Sequence, residues 1–219
     1  MCRRCGRSLR TLFVVCVLLS LPFAAAADDG AMSPQESAVL NELNLARTRP
    51  AEYASYVEEH KRNYKGPDAI LVDGRKFRTA EGIRAVDEAV AFLRSAAPLP
   101  ALSAAPPLVR SARDHAKNIG PQGMTGHAGT DRSQPPDRIN RYGTPRSSFG
   151  EAIAFGSISP RLIVVQLIVD DGVPDRGHRK SIFDPAFRVA GVAIGPHTVF
   201  GYMCVINFAD GIEEKPARR

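Results

Sequence analysis

Residues 170–185 read DDGVPDRGHRKSIFDP, a stretch that sets two adjacent carboxylates, a tight turn and a histidine within sixteen residues. The segment before it, Leu162 to Asp171, is apolar nearly all round and opens on Ser159-Pro160, the pattern of a helix buried at the centre of a domain. Gly172 and Pro174 end that helix and force a turn, and Asp175 stands where an N-cap would start a second, short helix with His178 in its first turn. Helix N-termini carry partial positive charge, which disfavours imidazolium. Neutral imidazole is the form that a metal ligand or a general base requires. The stretch therefore reads as half of a site.

Working outward, the N-terminus is set apart from the fold. Arg3, Arg4, Arg7 and Arg10 precede an apolar run from Leu12 to Phe23, and Ala24 to Ala27 supplies a small-residue cleavage site. Residues 1–27 are thus expected to be a secretory signal peptide, and the protein to be secreted, extracellular or, in a Gram-negative cell, periplasmic. The run is shorter than the roughly 18 to 20 apolar residues that span a bilayer, and no later segment approaches that length, so no integral membrane segment is expected after signal removal. Removing the four arginines from 29 basic residues leaves 25 against 23 acidic, a net charge of +2. That is no electrostatic footprint for nucleic acid. Cys2, Cys5 and Cys16 leave with the signal, and Cys204 has no partner left for an internal disulfide. About 192 residues suffice to bury one core without such staples.

Along the chain, residues 28–34 read as a linker, and Ser33-Pro34-Gln35-Glu36 has the form of a capping box, followed by a stripe of Val39, Leu40, Leu43 and Ala46. Pro50 restarts a second helix with Tyr53, Tyr56, Val57, His60 and Tyr64 on one face; His60 reads as the edge of an aromatic cluster. Ala69 to Phe77, broken at Asp73-Gly74, reads as a small hairpin. Thr79 is expected to cap the next helix, with Ile83, Val86, Val90 and Leu93 in phase. Pro98 to Pro107 is an extended linker, and the helix after it aligns Leu108, Ala112, His115 and Ile119, which makes His115 a hydrogen-bonded core histidine. From Gly120 to Glu151 the chain is rich in Gly, Pro, Ser and Thr, with a single helical turn expected at Pro135 to Ile139; a stretch that long is usually functional or disordered. It carries His127. Glu151 lies among Phe149, Ala152, Ile153, Ala154 and Phe155, and a carboxylate so placed needs a cation, a histidine or backbone amides to meet it. Val189 to Ile194 and Val199 to Phe208 read as two paired strands, with Cys204 buried and inert. Residues 211–219 read as a flexible tail.

The residues with chemistry are therefore His127 on a loop, Glu151 in an apolar segment, Asp170 or Asp171 at a helix end and His178 at a helix start. No metalloprotease, EF-hand, phosphate-loop or nucleophile-elbow motif accompanies them. Arg176, Arg179 and Lys180 beside His178 read as a solvated helix face, and Arg47 as a partner for an acid or a helix end.

More specific is the order of short blocks: Asn41-Glu42-Leu43-Asn44-Leu45-Ala46-Arg47, Pro100-Ala101-Leu102, Gly126-His127, Gly150-Glu151-Ala152-Ile153-Ala154, Gly177-His178-Arg179 and Val189-Ala190-Gly191-Val192. Over most of residues 35–210 this order resembles the CAP superfamily, which includes the SCP-like secreted proteins, antigen 5 and the plant PR-1 proteins. The resemblance implies an α+β fold, an α-β-α sandwich with a central, mainly antiparallel sheet. It also implies a cleft with two histidines and two acids, the histidines able to take Zn2+ or another divalent cation. By position His127 and His178 are those histidines, Glu151 is the first acid, and Asp171 is favoured over Asp170 for the second, where the family usually has glutamate. Ala152 stands where an asparagine is usual, the disulfides of many eukaryotic members are missing, and Lys61 to Ala96 is longer than in compact members.

Two functions follow from such a cleft. In one the protein is a secreted binding module for a lipid, peptide or glycan, with any metal shaping the site. In the other it is a metal-dependent extracellular hydrolase, with a zinc-bound water, Glu151 as base, and Ser157 or Arg179 as candidates for stabilising an oxyanion. The export reading is tested directly: N-terminal sequencing of the exported protein should find a first residue near Asp28, and an unprocessed Met1 would overturn it.

Overall fold

The computed structural model describes residues 30–216; the expected signal peptide, residues 1–27, lies outside them. Helix α1 (Pro34–Thr48) opens on the capping box read from the sequence, Glu36 N–H donating to Ser33 Oγ and Ser33 N–H donating to Glu36 Oε2. Pro50 starts α2 (Pro50–Glu59), which tightens into a 3-10 turn over His60–Asn63. The hairpin follows as β1 (Ala69–Val72) and β2 (Arg75–Arg78), turning on Asp73 and Gly74, both at positive φ. Then come α3 (Ile83–Ser95), β3 (Ser103–Ala104), α4 (Pro106–Ile119) and α5 (Pro135–Tyr142), the last longer than the single turn expected. The chain continues through β4 (Gly143–Pro145), β5 (Phe149–Phe155), α6 (Pro160–Val169), α7 (Gly177–Ile182), β6 (Val189–His197), β7 (Gly201–Ala209) and β8 (Ile212–Glu214).

Four strands form the central sheet in the order β3-β6-β7-β5, antiparallel except where the short β3 runs parallel to β6. Strand alternation sends successive side chains to opposite faces, and this sheet is apolar on both. Ala152, Ala154, Val192, Cys204 and Ile206 pack with α1, α2, α3 and α6. Ile153, Ala193, Met203 and Val205 pack with Ala112, Ala116 and Ile119 of α4. The result is an α-β-α sandwich, the α+β class anticipated. Helix α4 lies directly on β6: a Cβ at Gly191 would stand 2.2 Å from the Val109 nitrogen, so only glycine admits this approach.

Several local expectations are corrected. Thr79 does not cap α3. The Asp171 carboxylate, 89 to 91 residues away in sequence, accepts from the Ala80, Glu81 and Gly82 N–H groups at 2.7, 2.7 and 3.0 Å, bracing the turn that leads into α3 through a long-range contact that no sequence window contains. Nor does Asp175 cap α7. The residue before that helix is Arg176 at φ 53, and Asp170 Oδ2 accepts from the N–H groups of His178 (2.9 Å) and Arg179 (3.3 Å). The charged face of α7 is not solvated either, Lys180 apart. Arg179 is buried, donating to the Ile168 and Val169 carbonyls and to Glu88, while Arg176 bridges Glu81 and Glu88. Together they tie α3 to the end of α6. Residues 212–214 of the expected tail form β8, paired with β4.

Arg47 is fully buried and meets a helix end, as expected: its guanidinium donates to the carbonyl of Ile182, the last residue of α7 (2.5 Å), and to those of Pro100 (3.1 Å), Asp184 (3.1 Å) and Phe187 (3.2 Å). It pins the α7–β6 connection to α1. Arg47→Met should lower stability by about 3 kcal/mol or more, since several buried carbonyls lose their donor together; urea unfolding at neutral pH measures it. The Glu81–Arg176 bridge gives a pH signature. Hydrogen bonds from Arg176 and then from the Gly172 N–H hold the Glu81 carboxyl down at about 2 against an ordinary 4.5. A depressed carboxyl stabilises the fold above its unfolded value and loses that contribution as pH falls through its folded value. The stability gap between the protein and Glu81→Gln should therefore be present at pH 7, shrink below pH 4.5 and vanish near pH 2. A gap unchanged at pH 2 would show the bridge to be idle.

Candidate functional site

Glu151 sits on β5 opposite Asn207 of β7, facing α4 and α5 rather than solvent. Its carboxylate is met by a cation and a histidine at once. Arg138 of α5, whose side chain is 1 % exposed, donates from Nη2 to both oxygens at 3.0 and 2.9 Å. His127 Nδ1 lies 2.9 Å from Oε1. Turned so that both ends of its amide are satisfied, Asn207 also donates to Oε2 at 3.1 Å and accepts from Ser111 Oγ and the Ala112 N–H. Burial by itself would raise the carboxyl's pKa; the bond from His127 and the charge of Arg138 outweigh it and leave Glu151 below the ordinary carboxylate value.

The loop that carries His127 is held from beneath by histidines. His115, fully buried on α4, bonds through Nε2 to the Gly126 carbonyl at 2.9 Å, next to His127. His197 Nδ1 accepts from the Val199 and Phe200 N–H groups, which places its proton on Nε2, and Nε2 donates to the Met124 carbonyl at 3.0 Å. His115 is thus the core histidine expected, and it also sets the position of the site loop. Burial holds its pKa below the usual histidine value.

On the facing side, Asp170 closes α6 in the left-handed region, at φ 56, where a short polar side chain is tolerated. Its Oδ2 caps α7, and its Oδ1 lies 2.7 Å from His178 Nδ1. The two imidazoles stand with ring centres 6.2 Å apart. His127 is 46 % exposed and His178 21 %, while Glu151 and Asp170 are each 2 % exposed. The site is therefore two parallel dyads, each a wet histidine backed by a dry carboxylate.

Of the residues read from the sequence, His127, Glu151, Asp170 and His178 come together. Asp171, favoured there over Asp170, turns the other way to hold the N–H groups of the turn before α3. Ser157 bonds Asp73 instead, and Arg179 is buried against main-chain carbonyls. What the sequence reading missed is Arg138. Its signal was indirect: Glu151 demanded a partner, and Arg138 stands in the one helical turn of the loop before it.

Because a carboxylate only accepts, each Nδ1 carries the shared proton, and in a neutral ring the lone pair then lies on Nε2. A carboxylate behind the ring nitrogen is the usual backing of a metal-ligating histidine. Among the described residues no group of three or more His, Cys, Asp or Glu side chains is placed to hold one metal ion. Nε2 of His127 and Nε2 of His178 are the ring nitrogens turned away from the carboxylates.

A search of curated proteins yields no match. Two solved structures are similar to this chain. An outer surface protein from Borrelia burgdorferi is 19% identical with a TM-score of 0.44, over 53% of this chain and 80% of that one. An extracellular protein containing a SCP domain, from Bacillus anthracis str. Ames, is 20% identical with a TM-score of 0.42, over 68% of this chain and 47% of that one, so this chain spans about half its length. The family described as "CAP: Cysteine-rich secretory protein family" matches residues 87–208, from within α3 to the penultimate residue of β7. With more than half of its 219 residues so matched, the chain belongs to the CAP family.

Proposed function

We propose that this is an exported CAP domain that holds a divalent cation, zinc in the first instance, through Nε2 of His127 and His178 and presents it to a bound ligand rather than to a hydrolytic water. One observation carries the reading: each histidine is backed at Nδ1 by a buried carboxylate, Glu151 for one and Asp170 for the other. With zinc–nitrogen bonds of about 2.0 Å, two imidazoles on one ion have ring centres roughly 5 to 6 Å apart; these stand at 6.2 Å, just beyond that range, so the two rings would close slightly on one ion. Two protein donors leave half of a tetrahedral shell to solvent or to the ligand's own donors. When bound, the ion would supply Lewis acidity and a fixed positive charge.

The side chains argue for binding over turnover. A general base needs a free oxygen facing the water it activates. Both Glu151 oxygens are engaged by Arg138, one also by His127, and the carboxyl is held below its ordinary pKa. Both Asp170 oxygens are engaged as well, by His178 and the start of α7. Their role is to fix the tautomer and aim of the two imidazoles. Export is supported by the sequence of residues 1–27, and among the described residues no helix is long and apolar enough to cross a membrane.

Titration calorimetry with ZnCl2 tests the proposal. The protein should bind one zinc, His127→Ala and His178→Ala should each abolish binding, and Asp170→Asn should weaken it by about 10- to 100-fold, the usual effect of losing a carboxylate behind a metal-ligating histidine. Zinc binding unaffected by either histidine substitution, in variants with unchanged near-UV circular dichroism, would refute the site.

A further inference from the structure

Strand β5 is an edge of the central sheet, paired with β7 on one side and with no strand on the other. Two hydrogen bonds just beyond its ends fix which backbone groups it leaves open. Asp210 N–H donates to the Ser148 carbonyl at 3.3 Å, and Gly156 N–H donates to the Tyr202 carbonyl at 2.9 Å. Hydrogen-bonded pairs alternate with non-bonded ones along an antiparallel ladder, so the even-numbered residues from 148 to 156 turn their N–H and C=O groups toward β7. Those of Ile153 and Phe155 point outward. Among the described residues no strand, side chain or other backbone group pairs with them. At roughly 3.4 Å per residue the two sets of groups recur about 6.8 Å apart, the repeat of one edge of a strand.

A cavity of about 430 Å³ runs along this edge, within the range of ligand sites. Ile153, Ala154 and Phe155 all border it. Ile153 packs with α4 and Ala154 with the helices on the opposite face of the sheet. Residues of both faces meet the same space only where that space lies beside the strand rather than over it. Another wall is the β1–β2 hairpin, through Ile70, Val72 and Phe77, which precedes the residues that match the CAP family.

Apolar walls alone would admit many molecules; the row of outward N–H and C=O groups is what selects. A lipid chain laid there leaves them unpaired, at about 1 to 3 kcal/mol for each buried group. Alternating donors and acceptors at the strand repeat are matched by another polypeptide backbone. Ile153 and Ala154 are only 6 % and 5 % exposed, so the edge is recessed, within reach of a single extended chain and not of a strand already fixed in a second folded copy.

We propose that this cavity binds an extended peptide segment, which adds to β5 as a fifth strand by exchanging main-chain hydrogen bonds with Ile153 and Phe155 while alternate side chains lie against the hairpin wall. Strand addition of this kind draws its affinity from the main chain and its selectivity from the pockets beneath alternate side chains. The site needs no metal: His178 and Asp170 border the cavity, and His127 and Glu151 do not.

Titration calorimetry on the full protein without zinc tests this with the blocked peptide acetyl-Thr-Val-Thr-Val-Thr-amide, of which one per chain should bind. Only alternate residues of an added strand turn their N–H groups toward the sheet. N-methylation at both valines and N-methylation at the third and fifth residues should therefore differ, one weakening binding by about tenfold or more and the other by less than about threefold. In amide exchange followed by NMR, the peptide should slow Ile153 and Phe155 and leave Ala152 and Ala154, already bonded to β7, unchanged. His127→Ala should bind the peptide as the unsubstituted protein does while losing zinc, so that failure of either site is read apart from the other. No peptide binding, equal affinities of the two methylated peptides, or bound peptide with no change at the Ile153 and Phe155 amides would each overturn the proposal. So would a dimer in sedimentation velocity that the peptide disperses, which would assign the edge to a second copy.

Discussion

Glu151 lies in a strand of the central sheet with a side chain 2 % exposed, and a carboxylate so placed costs several kcal/mol unless charge and hydrogen bonds meet it. Arg138 meets it with one nitrogen shared between both oxygens, while another donates to the Ser133 carbonyl. That single guanidinium therefore joins β5, α5 and the loop before α5. Asn207 brings in β7 and the first half of α4. Such a pair is weak evidence of stability and good evidence of position, because removing either partner strands a buried charge. The long Gly120–Glu151 stretch is ordered around it, and His127 is delivered to Glu151 Oε1 as a result.

The opposite half of the site is built differently. Two adjacent aspartates at the end of α6 diverge because Asp170 adopts a left-handed backbone, which sends consecutive side chains to separate tasks. Asp171 holds the N–H groups of the turn before α3, and Asp170 caps α7 while holding His178. The start of α7 thus receives a carboxylate against its unpaired N–H groups. The aspartate in the cleft is one methylene shorter than the glutamate usual in the family, and its reach to His178 is still complete, at 2.7 Å. The Arg176 and Arg179 network locks α3 beside it, so the dyad rests on rigid supports rather than on the turn alone.

The chamber under the β1–β2 hairpin and the His178–Asp170 dyad share an edge without sharing their chemistry. The dyads are polar and partly wet, whereas the chamber under the hairpin is walled mostly by apolar side chains. Asp170 and His178 form the boundary between the two.

Periodicity determined much of this protein in advance. The capping box of α1, the restart at Pro50, the hairpin at Asp73-Gly74, the buried α6 and the β6–β7 pair are local patterns, legible because backbone geometry imposes its repeat on nearby residues. His127, Glu151 and His178 were also legible, since a buried carboxylate and two histidines in one cleft leave marks in composition and block order. What only the tertiary structure decided was which partner answers each charge. Arg138 for Glu151, Asp170 rather than Asp171 for His178, and Asp171 for the turn before α3 are contacts between residues 8 to 91 positions apart or in different strands and helices. Nothing in a local window encodes them, because electrostatic and hydrogen-bond pairing is settled by where packing brings the chain, and one change of backbone hand at Asp170 was enough to exchange the roles of two neighbours.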